Sequence, residues 1–468
     1  MEFLQPFQKS LLRHQREDAD FLASKSFAAN WSGMGSGKTL TALQACRQIF
    51  KQEDTQPELR RGPYDFLLHV IIIGPPISLH MWEEEVYNHL NIPAQIIRSA
   101  KEYFSSAPGA LIMSYDIATK RKEELKELNA KILICDEAHA LKSTKAKRTK
   151  AILGRGGLCE SVDYTWLLTG TPSTRWNDDL YPFLCRADLD GLKKRCGGTS
   201  LEKFRLRYCV TQKKTFDGAR FPTMITVGNR NTEELNDWIF NSGRLSVRRE
   251  LQEIWEAMPP LTINNLTVEL DADADLRQNL KEMDKLTYVQ IEEGVRNNDE
   301  HISSMRRKIG VAKVKHSVAE IINRIEVGIS PILVGAWHTD VIDAIVTELQ
   351  KAGISQCKRV IDGRTSAAQK QAAQELFNAG KIDVLIGQIG AMGVSLNMQG
   401  GSHIIEVEQD WSPAIMDQFR ARCHRMGQKN RVHVDCFHAD TKLDRAVKRI
   451  SLAKRRGHNT LMDQGASA

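Results

Sequence analysis

Short apolar runs recur along the chain, and each ends in a turn that is followed by a helix-like stretch. In the first half these runs lie at 28–31, 70–73, 132–135 and 167–168. After about residue 262 they resume at 332–334, 358–361, 384–386, 403–407 and 432–437. Apolar runs of this length that alternate with helical patterns predict parallel strands covered by helices. Two separate series therefore predict an α/β chain with two lobes, each a parallel sheet flanked by helices.

A joint between the two series is predicted where the paired prolines Pro259-Pro260 stop regular structure. We therefore predict an N-terminal domain over residues 1–255 and a C-terminal domain over residues 256–468. Residues from about 271 to 324 are charged and helix-like, without a convincing strand. This stretch predicts a helical protrusion on the second lobe.

The composition is typical of a globular protein, since 41% of the 468 residues are hydrophobic and 26% are charged. No run of about 18 apolar residues is present, so we expect no membrane association. The N-terminus has no basic start and no long apolar region, so we expect no signal peptide. The nine cysteines are scattered without a Cys-x-x-Cys pair, so we expect a reducing compartment and no metal cluster or disulfide framework.

Positive charge is concentrated in two segments rather than spread evenly. Residues 418–456 hold 12 Lys and Arg against 3 Asp, a local excess of +9, whereas the whole chain carries +7. Residues 142–155 add six basic residues and no acidic one. Such segments suit a phosphate backbone, although a solvated helix face is an equal alternative on charge alone.

A glycine-rich segment follows the first predicted strand and opens an apolar-periodic helix, which is the context that a phosphate-binding loop requires. The predicted nucleotide-binding residues are Gly33, Met34, Gly35, Ser36, Gly37, Lys38 and Thr39. Glycines let backbone N–H groups close around phosphates, while Lys38 pairs with the β- and γ-phosphates and Thr39 ligates Mg²⁺. The strict motif has glycine where this chain has Ser32, so a glycine-rich turn without a ligand is the alternative.

Two adjacent carboxylates, Asp136 and Glu137, follow the buried run at 132–135. Asp136 is predicted to bind Mg²⁺, and Glu137 to orient or deprotonate the attacking water. Two acids after a strand are by themselves more typical of a surface turn. The phosphate-binding loop upstream of them favours the catalytic interpretation.

The sequence from Asp136 to His139 resembles motif II of the superfamily-two helicases. In the second half, residues 418–428 resemble motif VI of the Swi/Snf-type ATPases, and Trp411-Ser412-Pro413 resembles their Trp-Asn-Pro segment. Residues 228–235 resemble a segment of the annealing-helicase branch. On these motifs the chain resembles a Swi/Snf-type ATPase over residues 10 to 450, which implies two RecA-like lobes.

The resemblance also implies roles for individual residues. Gln15 would read adenine, and Arg422 and Arg425, three apart on a predicted helix, would face the γ-phosphate. The implied coupling residues are His139, Thr169, Gly170, Thr171, Gly393 and Gln418. The implied DNA-contacting residues are Pro75, Trp82, Ser114, Tyr115, Gly363, Arg364 and Thr365.

The implied function is an ATP- and Mg²⁺-dependent translocase that moves on double-stranded or branched DNA without sequence preference, in DNA repair, recombination or fork remodelling. A strand-separating helicase is the first alternative, and a nucleic-acid clamp that does not hydrolyse ATP is the second. We recognise no additional chromatin-reading or nuclease module, which favours a bacterial or viral setting. The expected location is then cytoplasmic, or nuclear in a eukaryote.

Overall fold

The computed structural model describes residues 11–55, 70–104, 109–173, 176–215, 223–254, 258–297, 299–354, 359–392 and 396–462. The chain divides into two compact units. The first unit comprises Met1–Ile254 with Gly457–Ala468, and the second comprises Trp255–Arg456. Each unit is built on its own parallel sheet, so the α/β fold class predicted from the sequence is confirmed.

The described strands of the first unit form a seven-stranded parallel sheet and a two-stranded antiparallel hairpin. The strands are β1 Phe27–Asn30, β2 Val70–Gly74, β3 Ala94–Ile97, β4 Ala110–Ser114, β5 Ile132–Asp136, β6 Tyr164–Leu168, β7 Cys209–Lys214, β8 Thr223–Asn229 and β9 Ser246–Val247. The order in the sheet is β3-β4-β2-β5-β6-β1-β9, and β7 pairs with β8 in the hairpin. The central strands read as continuous apolar runs because helices cover both faces of the sheet.

Helices of the first unit connect these strands, and most of them contribute buried side chains to the core. They are α1 Arg13–Ala23, α2 Lys38–Thr55, α3 Leu79–Leu90, α4 Tyr115–Lys120, α5 Lys122–Glu127, α6 Lys147–Leu153, α7 Tyr181–Ala187, α8 Leu189–Cys196, α9 Leu201–Tyr208, α10 Thr232–Asp237 and α11 Leu251–Ile254. The core divides into a cluster on each face of the sheet. This arrangement places the turns after β1, β2, β4, β5 and β6 at one edge, where ligands bind in open α/β sheets.

The described strands of the second unit form a six-stranded parallel sheet of order β10-β15-β14-β11-β13-β12. These strands are β10 Leu261–Val268, β11 Ile332–Ala336, β12 Arg359–Ile361, β13 Val384–Gln388, β14 His403–Glu406 and β15 Val432–Ala439. The helices are α12 Ala274–Lys285, α13 Tyr288–Asn297, α14 Glu300–Ala312, α15 Val314–Glu326, α16 Thr339–Lys351, α17 Ala367–Asn378, α18 Ile389–Met392, α19 Pro413–Arg420 and α20 Lys442–Met462.

Helices α12 to α15 follow one another between β10 and β11, in the stretch where the sequence lacks strand signals. Buried side chains of α12, α13 and α14 share a cluster with the start of α20. The Arg306 guanidinium of α14 lies over the Trp411 ring, 4.5 Å from its centroid, and donates to the Gln409 carbonyl at 2.8 Å. Among the described residues, no helix is long and apolar enough to cross a bilayer.

Candidate nucleotide-binding and catalytic site

The loop between β1 and α2 has the backbone of a phosphate-binding turn. Gly35 and Gly37 have φ values of 80° and 83°, which glycine adopts without the penalty that a Cβ would bring. Lys38 is the first residue of α2, and its Nζ donates to the carbonyls of Ser32 and Gly33 at 2.9 and 3.1 Å. The ammonium is therefore held against its own loop, at a helix N-terminus that favours an anion.

Gln15, the predicted adenine reader, lies against this loop. Its Nε2 donates to the Ser36 carbonyl at 3.3 Å, and His14 Nε2 lies 3.2 Å from the same oxygen. The Gln15 Oε1 accepts from the Leu12 N–H at 3.0 Å and caps α1. The amide is thus only 2% exposed, and it would have to exchange these bonds before it could pair with a base.

Ser32, which stands where the strict motif has glycine, takes part in a buried network that the sequence did not indicate. Its Oγ accepts from the Arg249 N–H at 3.1 Å and donates to Asp18 Oδ2 at 3.5 Å. Arg249 Nε donates to Asp18 Oδ1 at 3.2 Å. Burial raises the pKa of Asp18, and the charge of Arg249 opposes that shift. The network ties α1, the phosphate-binding loop and the segment after β9 together, and residues 231 positions apart give no local signal for it.

Asp136 ends β5 and accepts hydrogen bonds from three sides. Trp82 Nε1 donates to its Oδ2 at 2.9 Å, the Glu137 N–H donates to its Oδ1 at 3.0 Å, and Tyr115 Oη donates to its carbonyl at 2.7 Å. Burial and the neighbouring charge of Glu137 raise the pKa of Asp136 to about 6, against the bond from Trp82 and the charge of Lys38. The hydrogen bonds from Trp82 and from the Glu137 N–H fix the orientation of the carboxylate.

Glu137 has left-handed backbone angles, φ 50° and ψ 48°, which are uncommon for a residue with a side chain and are found preferentially at functional sites. Its Oε2 lies 3.2 Å from His139 Nδ1, and the same ring nitrogen lies 3.3 Å from Thr169 Oγ1. The structure thus brings Glu137, the predicted catalytic carboxylate, together with His139 and Thr169, two of the predicted coupling residues.

The turn after β6 also contacts the phosphate-binding loop. A Cβ at Gly170 would lie 2.9 Å from Met34 Cγ and 3.4 Å from the Met34 backbone nitrogen, so the two loops pack without room for a side chain. The Thr169 hydroxyl accepts from the Thr171 N–H at 3.1 Å and shapes the turn. This turn therefore lies between the loop of Lys38 and the acids after β5.

In the second unit, Arg422 and Arg425 converge on one carbonyl. Arg422 Nη1 and Arg425 Nη1 donate to the Leu396 oxygen at 3.1 and 3.4 Å, and Arg422 Nε donates to the Gln418 carbonyl at 3.1 Å. The prediction that both arginines lie on a helix is wrong, because α19 ends at Arg420 and both follow it in turns. Two side chains are aligned here by a shared acceptor rather than by helical spacing.

Gln428 holds these turns together. Its Nε2 lies within hydrogen-bond distance of the carbonyls of Gln399, Gly401 and Cys423, at 2.9 to 3.1 Å. The predicted coupling residue Gly393 lies outside the described residues. The buried amide of Gln428 therefore fixes the chain on both sides of Arg422.

The predicted DNA-contacting residues fall into two groups. Among those after β2 and β4, Pro75 is half-buried and Ser114 caps α4, whereas the side chains of Trp82 and Tyr115 are 0% and 6% exposed. The expectation that these two side chains contact DNA is corrected by their burial, since both donate to Asp136 instead.

The second group follows β12 in the second unit and is accessible. Gly363 is exposed, and the Arg364 side chain is 70% exposed and paired with Asp362. That bond to Arg364 holds the pKa of Asp362 below its ordinary value. The Asp362 N–H donates to Thr365 Oγ1 at 3.0 Å, so a tight turn presents the guanidinium outward. DNA contact by these residues stays a prediction.

Comparisons with known proteins agree with the motifs. The SNF2-related domain matches residues 31–196, and the helicase conserved C-terminal domain matches residues 318–427. The chain is 24% identical to the SWI/SNF-related matrix-associated actin-dependent regulator of chromatin subfamily A-like protein 1 of Xenopus laevis, over 91% of this chain and 41% of that protein. It is also 24% identical to the DNA annealing helicase and endonuclease ZRANB3 of Mus musculus, over 88% of this chain and 37% of that protein.

The chain thus spans about two fifths of the length of these curated relatives. Among solved structures it is similar to the Sulfolobus solfataricus SWI2/SNF2 ATPase core in complex with dsDNA, at 17% identity and a TM-score of 0.42 over 94% of this chain and 90% of that one. The SNF2-related match covers strands β2 to β6 of the first parallel sheet, and the helicase C-terminal match covers β11 to β14 of the second, in the order that the motifs predict. The chain therefore belongs to the SNF2-related family of helicase-superfamily ATPases.

Proposed function

We propose that this protein is an ATP-dependent DNA translocase, which hydrolyses ATP to ADP and phosphate while it moves on double-stranded or branched DNA. Family membership implies nucleotide binding, and the arrangement within the first unit supports the rest. The observation that carries the proposal is the turn after β6, which contacts the loop of Lys38 through Gly170 and the acid loop through Thr169. The binding of a nucleotide at the loop of Lys38 would therefore be transmitted through this turn to the loop of Glu137 and His139.

Each residue of the first unit has one task in this proposal. The backbone of the loop and Lys38 bind the phosphates, and Glu137, oriented by His139, accepts a proton from the attacking water. The Thr39 hydroxyl and the Asp136 carboxylate are hard oxygen ligands, which fit Mg²⁺ bound by one or two protein groups together with phosphates. The described residues contain no cluster of three His, Cys, Asp or Glu that would hold a metal alone. Bound Mg²⁺ would neutralise charge on the phosphates.

The second unit is proposed to contribute Arg422 and Arg425 as the cations that stabilise charge on the transferred phosphoryl group. Such an arginine typically raises the rate by about 10³- to 10⁵-fold. Their shared acceptor, the Leu396 carbonyl, holds both guanidinium groups in one place. The division of the chain into an N-terminal domain over residues 1–255 and a C-terminal domain over residues 256–468 also remains part of the proposal.

The experiment is DNA-stimulated ATP hydrolysis by the variant Lys38→Ala. Loss of the phosphate-binding ammonium should lower turnover by about 10²- to 10³-fold or more. Lys381→Ala, which removes an exposed lysine of the second unit, is the matched control and should keep wild-type turnover. DNA-stimulated hydrolysis that survives in Lys38→Ala would contradict the proposal.

Movement on DNA is tested separately from hydrolysis. A translocase displaces the third strand of a triplex but does not part the strands of a fork, whereas a strand-separating helicase parts them. A clamp that binds ATP without using it would release no phosphate in the presence of DNA. Similarity to the DNA annealing helicase and endonuclease ZRANB3 of Mus musculus and to the DNA repair and recombination protein RAD54B of Gallus gallus supports a role in DNA repair or recombination for this chain.

A further inference from the structure

Asp136 is held by two aromatic residues that come from different helices. The Trp82 indole N–H, on α3, donates to Oδ2 at 2.9 Å, and the Tyr115 hydroxyl, on α4, donates to the main-chain oxygen at 2.7 Å. Both rings are buried in the core of the first unit. The contacts therefore come from side chains that cannot move without disturbing that core.

The end of β2 and the turn that follows it lie against the same residue. A Cβ at Gly74, the last residue of β2, would contact Asp136 Cβ at 3.4 Å and would lie 2.9 Å from Ser78 Oγ, so a larger residue would have to displace the Ser78 hydroxyl. The Ser78 hydroxyl donates back to the Pro75 carbonyl at 3.0 Å and closes the turn. The position of Asp136 therefore depends on the turn that leads into α3.

Trp166 provides an internal comparison for Trp82. Both indoles belong to the same core cluster and both are 0% exposed. Among the described residues, the Trp166 Nε1 has no hydrogen-bond partner, whereas Trp82 Nε1 donates to Asp136. Packing in this cluster thus does not require a partner for the indole nitrogen, and the bond to Asp136 is an additional feature of Trp82.

We propose that Trp82 is a positioning residue, which holds the Asp136 carboxylate in the orientation that binds the Mg²⁺ of a Mg²⁺–nucleotide complex. This rests on the proposed function. An ionised carboxylate has about four acceptor positions, of which Trp82 and the Glu137 N–H take one each, so two remain for the metal and its waters. Groups that hydrogen-bond a metal ligand typically change metal affinity by about 10- to 100-fold when they are removed.

The test compares Trp82→Phe with Trp166→Phe, which makes the same substitution in the same cluster without loss of a hydrogen bond. The affinity for a fluorescent ADP analogue is measured at increasing Mg²⁺ concentrations. The quantity compared is the Mg²⁺ concentration that gives half of the maximal increase in affinity, and no ATP hydrolysis is needed for this measurement. We expect Trp82→Phe to raise that concentration by about 10-fold or more. Trp166→Phe should leave it at the wild-type value. Binding without Mg²⁺, measured in EDTA, should be the same in all three proteins.

A wild-type Mg²⁺ requirement in Trp82→Phe, or an equal shift in Trp166→Phe, would overturn the inference. Should Trp82→Phe fail to fold, Trp82→Leu, which also removes the indole N–H, is the second variant and should raise the Mg²⁺ requirement in the same direction. A wild-type requirement in that variant would then overturn the inference. If the ADP affinity of the wild-type protein does not depend on Mg²⁺, that result would instead refute the Mg²⁺ site of the proposed function.

Discussion

The buried ion pair between Arg420 and Glu406 gives the strongest stability prediction for the second unit. Arg420 Nε and Nη2 donate to the two Glu406 oxygens at 2.7 and 2.8 Å, and the Cys436 thiol donates to the same carboxylate at 3.0 Å. Burial lowers the pKa of Arg420, but the Glu406 charge outweighs it and the pKa lies above its ordinary value. The substitution Arg420→Met would leave Glu406, which is 0% exposed, without its counter-ion.

Removing one partner of a buried pair costs about 3–5 kcal/mol, because the remaining charge stays desolvated. With a urea m value of about 2–3 kcal/mol/M, this cost lowers the unfolding midpoint by about 1–2.5 M. The assay is urea unfolding followed by circular dichroism and tryptophan fluorescence. Two units can unfold separately, so each transition is fitted on its own.

Arg455→Met is the matched control, since Arg455 also binds the Asp417 carboxylate that Arg420 contacts. The Arg455 pair spans 2.7 Å, but its side chains are 40% and 45% exposed. Such exposed pairs contribute about 0–1 kcal/mol, so the midpoint should hardly move. The double variant Glu406→Gln with Arg420→Met should recover part of the loss because the buried charge is gone. Equal midpoints for Arg420→Met and Arg455→Met would refute this reasoning.

Three further outcomes are expected. Gly170→Ala places a methyl group 2.9 Å from Met34 Cγ, which costs about 1–3 kcal/mol, so both the melting temperature of the first unit and its ATP affinity should fall. Burial, and then the stacked His433 ring, lower the pKa of His403 below 6.5, so the second unit should lose stability as the pH falls below that value. His403→Phe should flatten that loss in melts between pH 8 and pH 5. DNA affinity should fall by about 10³- to 10⁵-fold between 50 and 200 mM salt if six to ten phosphates are contacted, and a salt-insensitive titration would argue against backbone binding.

The sequence predicts best what depends on local chemistry. The left-handed glycines Gly35 and Gly37 are required by the turn itself, and the apolar runs before Asp136 are required by a sheet covered on both faces. The edge strand β10 was not predicted, because its exposure alternates and it carries no continuous apolar run. The hairpin of β7 and β8 was missed for the same reason, since both strands are largely solvated.

Contacts between distant residues could not be predicted at all. A tryptophan in the motif after β2 is compatible with either DNA contact or core packing, and only the fold shows that Trp82 reaches Asp136 across 54 positions. The end of α19 at Arg420 could not be predicted either, because the spacing of Arg422 and Arg425 in the sequence is compatible with a continuing helix. Their common acceptor, Leu396, lies 26 and 29 positions away.

These distant contacts explain why the departure at Ser32 is compatible with a phosphate-binding loop. Glycine at this position would leave the Arg249 N–H without the Ser32 hydroxyl and would remove a donor from Asp18, which is 1% exposed. A buried group that loses its partner costs about 1–3 kcal/mol, so serine here stabilises the loop rather than impairing it. The segment after β9 leads out of the first unit at Ile254. The Ser32 hydroxyl and the hydrogen bond from the Gly33 N–H to the Arg249 carbonyl, at 2.8 Å, therefore join the candidate phosphate-binding loop to the chain that leaves this unit.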